Sequence, residues 1–187
     1  MQIRGSDSAA IRIVRSLLGL LWFGAWFFAA FPALVLWAEG RGFRPEPGAL
    51  RTLGVGLVAT AMLGVLAEAL RFSLRGHGTP MPFDPPQRLV VEGPYRWVRN
   101  PMYLLYAAVV VGEALAYRSS WMLGYAAVLL GLAHLYVVKL EEPRLLERFG
   151  ADYTDYCQRV SRWLPRRTLP LDVRSSDSTT RNSRGTL

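Results

Sequence analysis

Several ionisable side chains lie inside long apolar runs or at their ends, where they could do chemistry. Glu68 and Glu113 each interrupt an apolar run, and His134 lies within another. Glu141 and Glu142 are adjacent carboxylates just after the last run. A charge in hydrocarbon costs about 2.5–3.5 kcal/mol on insertion scales, so such groups usually face the bundle interior or a cavity. They are therefore candidate site residues, although Glu68 and Glu113 also fit an interfacial or paired structural role.

A second polar group crowds the entrance to the third apolar run. The turn Gly93-Pro94 opens this group, which continues with Tyr95, Arg96, Trp97, Arg99, Asn100 and Tyr103. The loop from Arg71 to Pro101 is rich in proline, and proline fixes φ, so we expect a stiff, packed segment. An aromatic and arginine belt at the lipid headgroups explains Trp97 and Arg96, but not the density of the whole segment.

The composition restricts the class of protein that can position these groups. Of the 187 residues, 51% are hydrophobic and 19% are charged, against about 25% charged in soluble domains. The single cysteine, Cys157, excludes an internal disulfide framework, and His77 and His134 leave little for a metal centre, so we expect none. The net charge of +8 indicates basic loops facing anionic lipid rather than a nucleic-acid partner.

Four apolar runs predict an all-α membrane protein with about four transmembrane helices. A run of 20 or so residues at 1.5 Å each crosses a hydrocarbon core of about 30 Å. The first run is too long for a signal-peptide core of about 7–15 residues, so we interpret it as a retained span. The last two are separated by barely a turn, which predicts a tight helical hairpin. The runs are 16–38, 52–70, 102–117 and 119–138.

The distribution of basic residues predicts the orientation. Eighteen of the 22 basic residues fall in the N-terminus, the 71–101 loop and the segment from Lys139 onward. By the positive-inside rule, both termini of this multi-pass protein are expected in the cytoplasm, in the inner or plasma membrane if the source is bacterial. The 71–101 loop and the C-terminal third then face the same side.

Small residues predict where the helices pack, since small-xxx-small spacing lets backbones approach closely. The two stripes are Gly56, Thr60 and Gly64 in the second span, and Gly124, Ala127, Gly131 and His134 in the fourth.

The C-terminal third predicts a helical extension that belongs to a single domain, 1–165. Pro143 disfavours helical geometry at Glu142, so we expect the fourth helix to break or kink there. A short helix should follow, with Glu142 near its N-cap and Gly150 after its end. An amphipathic helix comes next, and the polar segment 166–187 is expected to be disordered. The apolar face of that helix is Tyr153, Tyr156, Cys157 and Val160.

Two linked blocks carry a family resemblance that covers about residues 76–165. The first reads GHGTPMPFDPPQRLVVEGPYRWVRNPMY, and the second, after the hairpin, reads EEPRLLERFGADYTDYCQRVSRWLP. They resemble the isoprenylcysteine carboxyl methyltransferase and phospholipid methyltransferase superfamily, in particular its small bacterial integral-membrane members. The resemblance implies a multi-span methyltransferase that holds S-adenosylmethionine on the cytoplasmic side and takes a lipophilic or lipid acceptor from the bilayer.

The same resemblance implies the site residues. The family's first block falls on Gly93, Pro94, Tyr95, Arg96, Arg99, Asn100, Pro101 and Tyr103, and its acidic pair falls on Glu141 and Glu142. Many members have histidine where this chain has Asn100. Asparagine keeps a donor and an acceptor but cannot change charge near neutral pH, so it is not expected to transfer a proton.

Each implied residue has a role suited to the cofactor. Arg99 could hold its carboxylate, and Glu141 or Glu142 could accept from its ammonium or ribose. Tyr95 and Tyr103 could line the sulfonium region, and the backbone of Leu89, Val90 and Val91 could contact the adenine. The candidate catalytic residues are Tyr103 and, for an amine acceptor that must arrive neutral, Glu113 or His134.

The acceptor and three other functions stay open at this point. The acceptor could be a carboxylate, an amine headgroup or another hydrophobic molecule. A nicotinamide-dependent membrane reductase has a related architecture, but the chain lacks a glycine-rich dinucleotide fingerprint. A transport or assembly subunit would use its polar intramembrane residues as a pathway, although the spans show no inverted repeat. A family member with Asn100 could also bind the cofactor without methylating anything.

Overall fold

The described part of the chain is a bundle of helices. The computed structural model describes residues 9–40, 42, 44, 47–71, 73–74 and 89–165. Its helices are α1 (Ala9–Ala25), α2 (Phe31–Ala38), α3 (Ala49–Arg71), α4 (Pro101–Tyr117), α5 (Ser120–Tyr136), α6 (Glu142–Phe149) and α7 (Ala151–Arg159). Five-residue π-turns, Trp26–Ala30 and Val137–Glu141, join α1 to α2 and α5 to α6, and a 3-10 turn, Gly93–Arg96, precedes α4.

The length and composition of these helices confirm an all-α membrane protein. Within the described residues, three helical stretches are long and apolar enough to span a membrane: Ile13–Ala38, Ala49–Arg71 and Ser120–Phe149. The apolar helix α4 has 17 residues and is about 25 Å long. Large apolar side chains such as Trp22 and Leu63 point outward, with about 70% of each exposed. An outward apolar surface of this kind suits lipid rather than water.

Helices α3 and α4 pack backbone to backbone at two glycines. A Cβ on Gly54 would lie 2.4 Å from the carbonyl oxygen of Gly112, so neither helix tolerates a side chain there. The predicted stripe is therefore only partly correct: Gly64 packs against Leu105, but Gly56 and Thr60 are exposed. The face of α3 that contacts α4 differs from the predicted one, because Gly112 of α4 packs against Gly54. Gly54 and Gly56 lie on different sides of α3. The buried residues of α3 are Gly54, Ala61, Val65, Glu68 and Ala69.

The second predicted stripe is wrong. Gly124, Ala127, Gly131 and His134 are all exposed on α5. The inner face of α5 instead carries Met122 and Ala126, which join a core cluster with Leu36, Val110 and Ala114. Side chains such as Met122 fill the space between α5 and its neighbours, so close backbone contact through small residues is not needed there.

The predicted hairpin between α4 and α5 is confirmed. Arg118 ends α4 in the left-handed region, with φ of 50°. Ser119 then caps α5, because its hydroxyl accepts a hydrogen bond from the backbone N–H of Met122 at 3.1 Å. The same hydroxyl donates to Glu39 at the end of α2, which ties the hairpin to the first span.

The predicted irregularity before Pro143 takes the form of a π-turn. Glu142 keeps helical geometry, with φ of −61° and ψ of −43°, so the expectation that it leaves this geometry is wrong. Its N–H bonds to the carbonyl of Val137, five residues back. The π-turn contains one extra residue, which changes the pattern of backbone hydrogen bonds just before Pro143. Pro143 lacks an N–H, and its ring would clash with the preceding turn of a regular α-helix. The expected short helix ending before Gly150 and the helix after it are both present as α6 and α7.

Two sequence-based expectations concern other parts of the chain. The stiff 71–101 loop includes 75–88, and the disordered segment is 166–187; both ranges lie outside the described residues.

Candidate functional site

A cavity of about 530 Å³ lies where α4 begins and where α5 passes into α6. Cavities of about 300–1,000 Å³ are typical of small-molecule sites. Its polar end is lined by Tyr95, Arg99, Asn100, Tyr103, Glu141, Glu142, Arg144, Arg148, Tyr153 and Tyr156, with Leu89 and Val90 beside them. Its apolar end is lined by Phe23, Phe27, Phe28, Tyr106, Leu129, Leu130 and Ala133.

The start of α4 sets the positions of the first group of polar residues. Pro101 occupies the first turn, where its fixed φ suits a helix and its missing N–H needs no partner. The N-cap residue Asn100 does not cap α4 with its side chain. Its amide instead donates to the carbonyl oxygen of Arg162 at 3.2 Å. The chain that follows α7 is thereby attached to the entrance of α4.

Glu142 is held between two guanidinium groups. Arg162 donates to it from Nε and Nη2, each at 2.8 Å. Arg99 Nη1 lies 3.2 Å from Oε1 of the same carboxylate. The side chains of Arg99 and Glu142 are only 12% and 17% exposed, so water screens this cluster weakly. The hydrogen bond to Glu142 also raises the pKa of Arg162, so its cationic form is favoured.

Glu141 has a different neighbour. The Tyr103 hydroxyl donates to its Oε2 at 2.8 Å, and both side chains line the cavity. Among the described residues, no cation lies within ion-pair distance of Glu141. No cation of the described residues therefore offsets the negative charge of the Glu141 carboxylate at the polar end of the cavity.

Three further tyrosines close the wall on the side of α7. Tyr95, Tyr153 and Tyr156 are each less than 10% exposed. Burial raises the pKa of each, and for Tyr95 the carboxylates of Glu68 and Glu141 add to the effect. These phenols therefore stay protonated, as the hydrogen bond from Tyr156 to the carbonyl of Tyr95 at 2.8 Å requires.

Gly93 packs against Arg71 of α3 and does not line the cavity. Its φ is +61°, and a Cβ there would lie 2.6 Å from Nη1 of Arg71. Arg71 is in turn paired with Glu68, whose side chain is 2% exposed. Glycine suits this position for two reasons: its backbone is left-handed, and the guanidinium of Arg71 leaves no room for a Cβ. The close approach of Arg71 also holds the start of the 3-10 turn in place.

The apolar end of the cavity is built around Tyr106. The rings of Phe23 and Phe28 lie 5.4 Å and 5.5 Å from it. In a regular α-helix, residues five apart point in different directions, whereas a π-turn brings them to one side. The π-turn that follows Ala25 therefore accounts for the convergence of both phenylalanines. Tyr125 supports this turn by donating to the carbonyl of Phe27 at 3.2 Å.

The structure brings most of the predicted binding residues into one place. The cavity is lined by eight of them: Leu89, Val90, Tyr95, Arg99, Asn100, Tyr103, Glu141 and Glu142. Gly93 and Pro101 are not among its lining residues and contribute backbone geometry. Glu113 and His134 do not line it either. Glu113 lies in the interior of α4 with a buried Oε2 atom, and His134 accepts a hydrogen bond from Trp163 Nε1 at 3.0 Å.

Several residues of the site have no clear signal in the sequence. Arg162 is one arginine among many in a basic C-terminal segment, and only the fold shows that it reaches Glu142. Phe23, Phe27 and Phe28 belong to an apolar run that reads simply as a span. Tyr153 and Tyr156 were predicted as an apolar helix face, and that face turns out to be a wall of the cavity.

Fold and cavity together define an integral membrane protein whose site, at one end of the bundle, has a charged end and an apolar end. A family model for phospholipid methyltransferases matches residues 50–152, more than half of the chain. The chain therefore belongs to the phospholipid methyltransferase family, which confirms the superfamily assigned from the two sequence blocks and indicates a methyltransferase. No curated protein and no solved structure matches it. The matched range includes the acidic pair, while Phe23, Phe28 and Arg162 lie outside it.

Proposed function

We propose that the protein transfers a methyl group from S-adenosylmethionine to a lipophilic acceptor, with both molecules meeting in the one cavity. The observation that carries this proposal is the division of that cavity. Its polar end holds paired charges, and its apolar end is aromatic and faces the first span. A charged donor and a membrane-derived acceptor require such a combination.

The chemistry of the polar end fits the donor molecule. The donor has a carboxylate, an ammonium, a sulfonium, a ribose and an adenine. Arg99 Nε is buried without a hydrogen-bond partner among the described residues, so this guanidinium still has capacity for a carboxylate. Glu141 could take the ammonium or the ribose hydroxyls. The faces of Tyr95 and Tyr103 suit the sulfonium, and the backbone of Leu89–Val91 suits the adenine.

The cofactor supplies an activated methyl group, so the protein's own task is alignment and exclusion of water. Methyl transfer is an in-line displacement, in which positioning can contribute much of the rate acceleration. Tyr103 is held in place by Glu141, and the buried Tyr95 and Tyr156 keep water from that side. These residues would orient the donor without themselves gaining or losing a proton.

The acceptor is proposed to enter from the bilayer side. The apolar wall formed by Phe23, Phe28 and Tyr106 suits a hydrocarbon group next to the accepting atom. An amine acceptor must lose a proton before or during transfer. Glu113 and His134, which were considered for that step, do not line the cavity, so an anionic acceptor or an amine that arrives neutral fits this site better.

The site is proposed to face the cytoplasm. Lys139, Arg144, Arg148 and Arg162 lie at the same end of the bundle as the cavity. The sequence between α2 and α3 contains only two basic residues, Arg41 and Arg44, which suits an outer loop under the positive-inside rule. Both termini would then be cytoplasmic.

Calorimetric titration of S-adenosylhomocysteine into the detergent-purified protein tests the proposal. We expect saturable binding, and an Arg99→Gln variant should bind at least about tenfold more weakly because a charged hydrogen bond is lost. Arg51→Gln is the matched control, since Arg51 is exposed at the start of α3. Reduced and oxidised nicotinamide dinucleotides are titrated in parallel.

The outcomes separate the alternatives. Binding of the homocysteine product alone supports the methyltransferase and justifies a search for the acceptor with labelled donor. Binding of a dinucleotide instead would overturn it in favour of a membrane reductase. A folded sample that binds neither would favour a transport or assembly subunit.

A further inference from the structure

The two adjacent glutamates have unequal surroundings. Both oxygens of Glu142 accept from Arg162, and one of them also faces Arg99. Two positive groups therefore surround this carboxylate before any ligand arrives. Glu141, one residue earlier, is bonded to the neutral hydroxyl of Tyr103. A cationic ligand gains more from a carboxylate that is not already neutralised, because the attraction is not offset by nearby positive charge.

The backbone on both sides of the Arg162 side chain is fixed to the entrance of α4. The carbonyl of Ser161 accepts from the backbone N–H of Arg99 at 2.8 Å. The carbonyl of Arg162 accepts from the Asn100 amide at 3.2 Å. Trp163 then bonds to His134 and packs edge-on against Tyr103, with ring centroids 6.3 Å apart. These contacts at three consecutive residues restrict the backbone around Arg162, so that its side chain is directed towards Glu142.

We infer that the segment Ser161–Trp163 completes the donor site and that Arg162 is a positioning residue for Glu142 and Arg99. This inference rests on the proposed function. Glu141 is then the carboxylate that meets the positive charge of the donor. Glu142 is the anchor that Arg162 neutralises and that holds Arg99 in place. The segment lies beyond the range 50–152 that the family model matches, so the family assignment does not assign it this role.

The effect of Arg162 on the donor is indirect. Its side chain is not among the residues that line the cavity, whereas those of Arg99 and Glu142 are. Without Arg162, the partly buried Glu142 would have Arg99 as its cationic neighbour, and an unpaired buried charge is costly. Arg99 would therefore be drawn more fully to Glu142. Its guanidinium would then be less available to the carboxylate of the donor.

Titration of S-adenosylhomocysteine into Arg162→Gln measures this effect. We expect binding about tenfold weaker than in the unmodified protein, the scale of a lost charged hydrogen bond. Arg162→Lys keeps the charge but not the two-pronged geometry, so it should recover only part of the affinity. Arg51→Gln is the control for loss of one positive charge at an exposed position. Thermal unfolding without ligand shows whether each variant is folded.

A double-mutant cycle separates positioning from a general structural role. In a Glu142→Gln background, the further change Arg162→Gln should alter affinity by less than about twofold, because Glu142 then has no charge to neutralise. Equal effects of Arg162→Gln in both backgrounds would overturn the inference. The double variant has no unpaired carboxylate at position 142, and Arg99 loses its ion-pair partner equally in both Glu142→Gln forms. Their comparison therefore also serves if Arg162→Gln alone does not fold.

The inference and the proposed function fail in different ways. If the unmodified protein does not bind S-adenosylhomocysteine, both are overturned. If it binds and folded Arg162→Gln binds equally well, only the role of Arg162 is overturned. If Arg162→Gln binds more weakly but Arg162→Lys is fully restored, charge suffices and the fork geometry assigned to Arg162 is wrong.

Discussion

Tyr103 and Glu141 join the entrance of α4 to the π-turn before α6 through a hydrogen bond of 2.8 Å. The two residues are 38 positions apart and belong to the two separate sequence blocks that first indicated a methyltransferase. Their contact shows that both blocks form one wall of the same cavity. The tyrosine keeps one carboxylate oxygen in place, and within the described part of the chain no hydrogen bond engages the other oxygen.

Removal of this hydrogen bond should weaken donor binding moderately. Tyr103→Phe keeps the ring that packs against Trp163 and Tyr106 but loses the donor to Glu141. We expect S-adenosylhomocysteine to bind about three- to tenfold more weakly, consistent with about 1 kcal/mol for one hydrogen bond. Calorimetry checks this, and Tyr136→Phe is the control because that ring also lines the cavity. An equal loss in both variants would show that the Tyr103–Glu141 bond has no special role.

Removal of the charge at Glu141 should have a larger effect. Glu141→Gln has nearly the same shape and can still accept from Tyr103, but it no longer attracts a cation. We expect affinity for S-adenosylhomocysteine to fall by about tenfold or more, since its ammonium loses a charged partner. Glu147→Gln, an exposed position on α6, should leave the affinity unchanged. Unaltered binding by folded Glu141→Gln would remove this carboxylate from the donor site.

A change at the apolar end should affect the acceptor and spare the donor. Phe28→Ala removes a half-buried ring that packs on Tyr106, so the acceptor's hydrocarbon group loses its wall. We expect S-adenosylhomocysteine affinity to stay within about twofold, while transfer of labelled methyl into organic-soluble material of native membranes falls at least about fivefold, the scale of one lost apolar contact.

The matched control for Phe28 is Phe31→Ala. Phe31 begins α2, is 39% exposed and does not line the cavity. A similar loss of transfer in both variants would mean that the first span acts through stability and not through the acceptor. Loss of donor binding in Phe28→Ala would mean that the two ends of the cavity are not separate.

The sequence predicted the helices and the acidic pair because both depend on local composition. Apolar runs bounded by turns and charges predicted the apolar helices to within a few residues at most ends. The exceptions are the first helix, which begins earlier at Ala9, and the fourth, which continues through a π-turn into α6 and ends at Phe149. The hairpin at Arg118-Ser119 followed from the shortness of the connection. Most residues of the polar end were predicted through the family resemblance, because the two short blocks that carry this resemblance contain them.

Other features could not be predicted because they depend on contacts between residues that are distant in the sequence, or on local changes in helical period. Small residues occur on two sides of α3, and the sequence does not show which side packs against α4. Gly54 faces inward because it packs against Gly112 of α4. The π-turns shift the helical period by one residue, which a hydropathy pattern does not reveal. Arg162 is distinguished from the other basic residues only by a contact 20 positions away.

The glycine contact between α3 and α4 predicts a stability effect at a single position. A Cβ on Gly54 would come within 2.6 Å of the backbone at both Gly112 and Ala116, so Gly54→Ala must push the helices apart. Overpacking of this kind costs about 1–3 kcal/mol. We expect a lower unfolding temperature in detergent, whereas Gly56→Ala, with nothing within 4 Å of its Cβ, should be neutral or slightly stabilising. Equal melting of the two variants would contradict this packing.

Truncation at two points tests where the site ends along the chain. The contacts that complete it reach Trp163, so a protein ending after Pro165 should bind S-adenosylhomocysteine within about twofold of the full chain. A protein ending after Val160 loses Ser161, Arg162 and Trp163, and with them the bonds to Arg99, Asn100 and Glu142. It should bind at least about tenfold more weakly. Val160 packs with Tyr153 and Tyr156 and is retained in both forms, so α7 keeps its core and the comparison isolates the segment that follows it. Weak binding by the longer form would place a necessary contact within 166–187 instead.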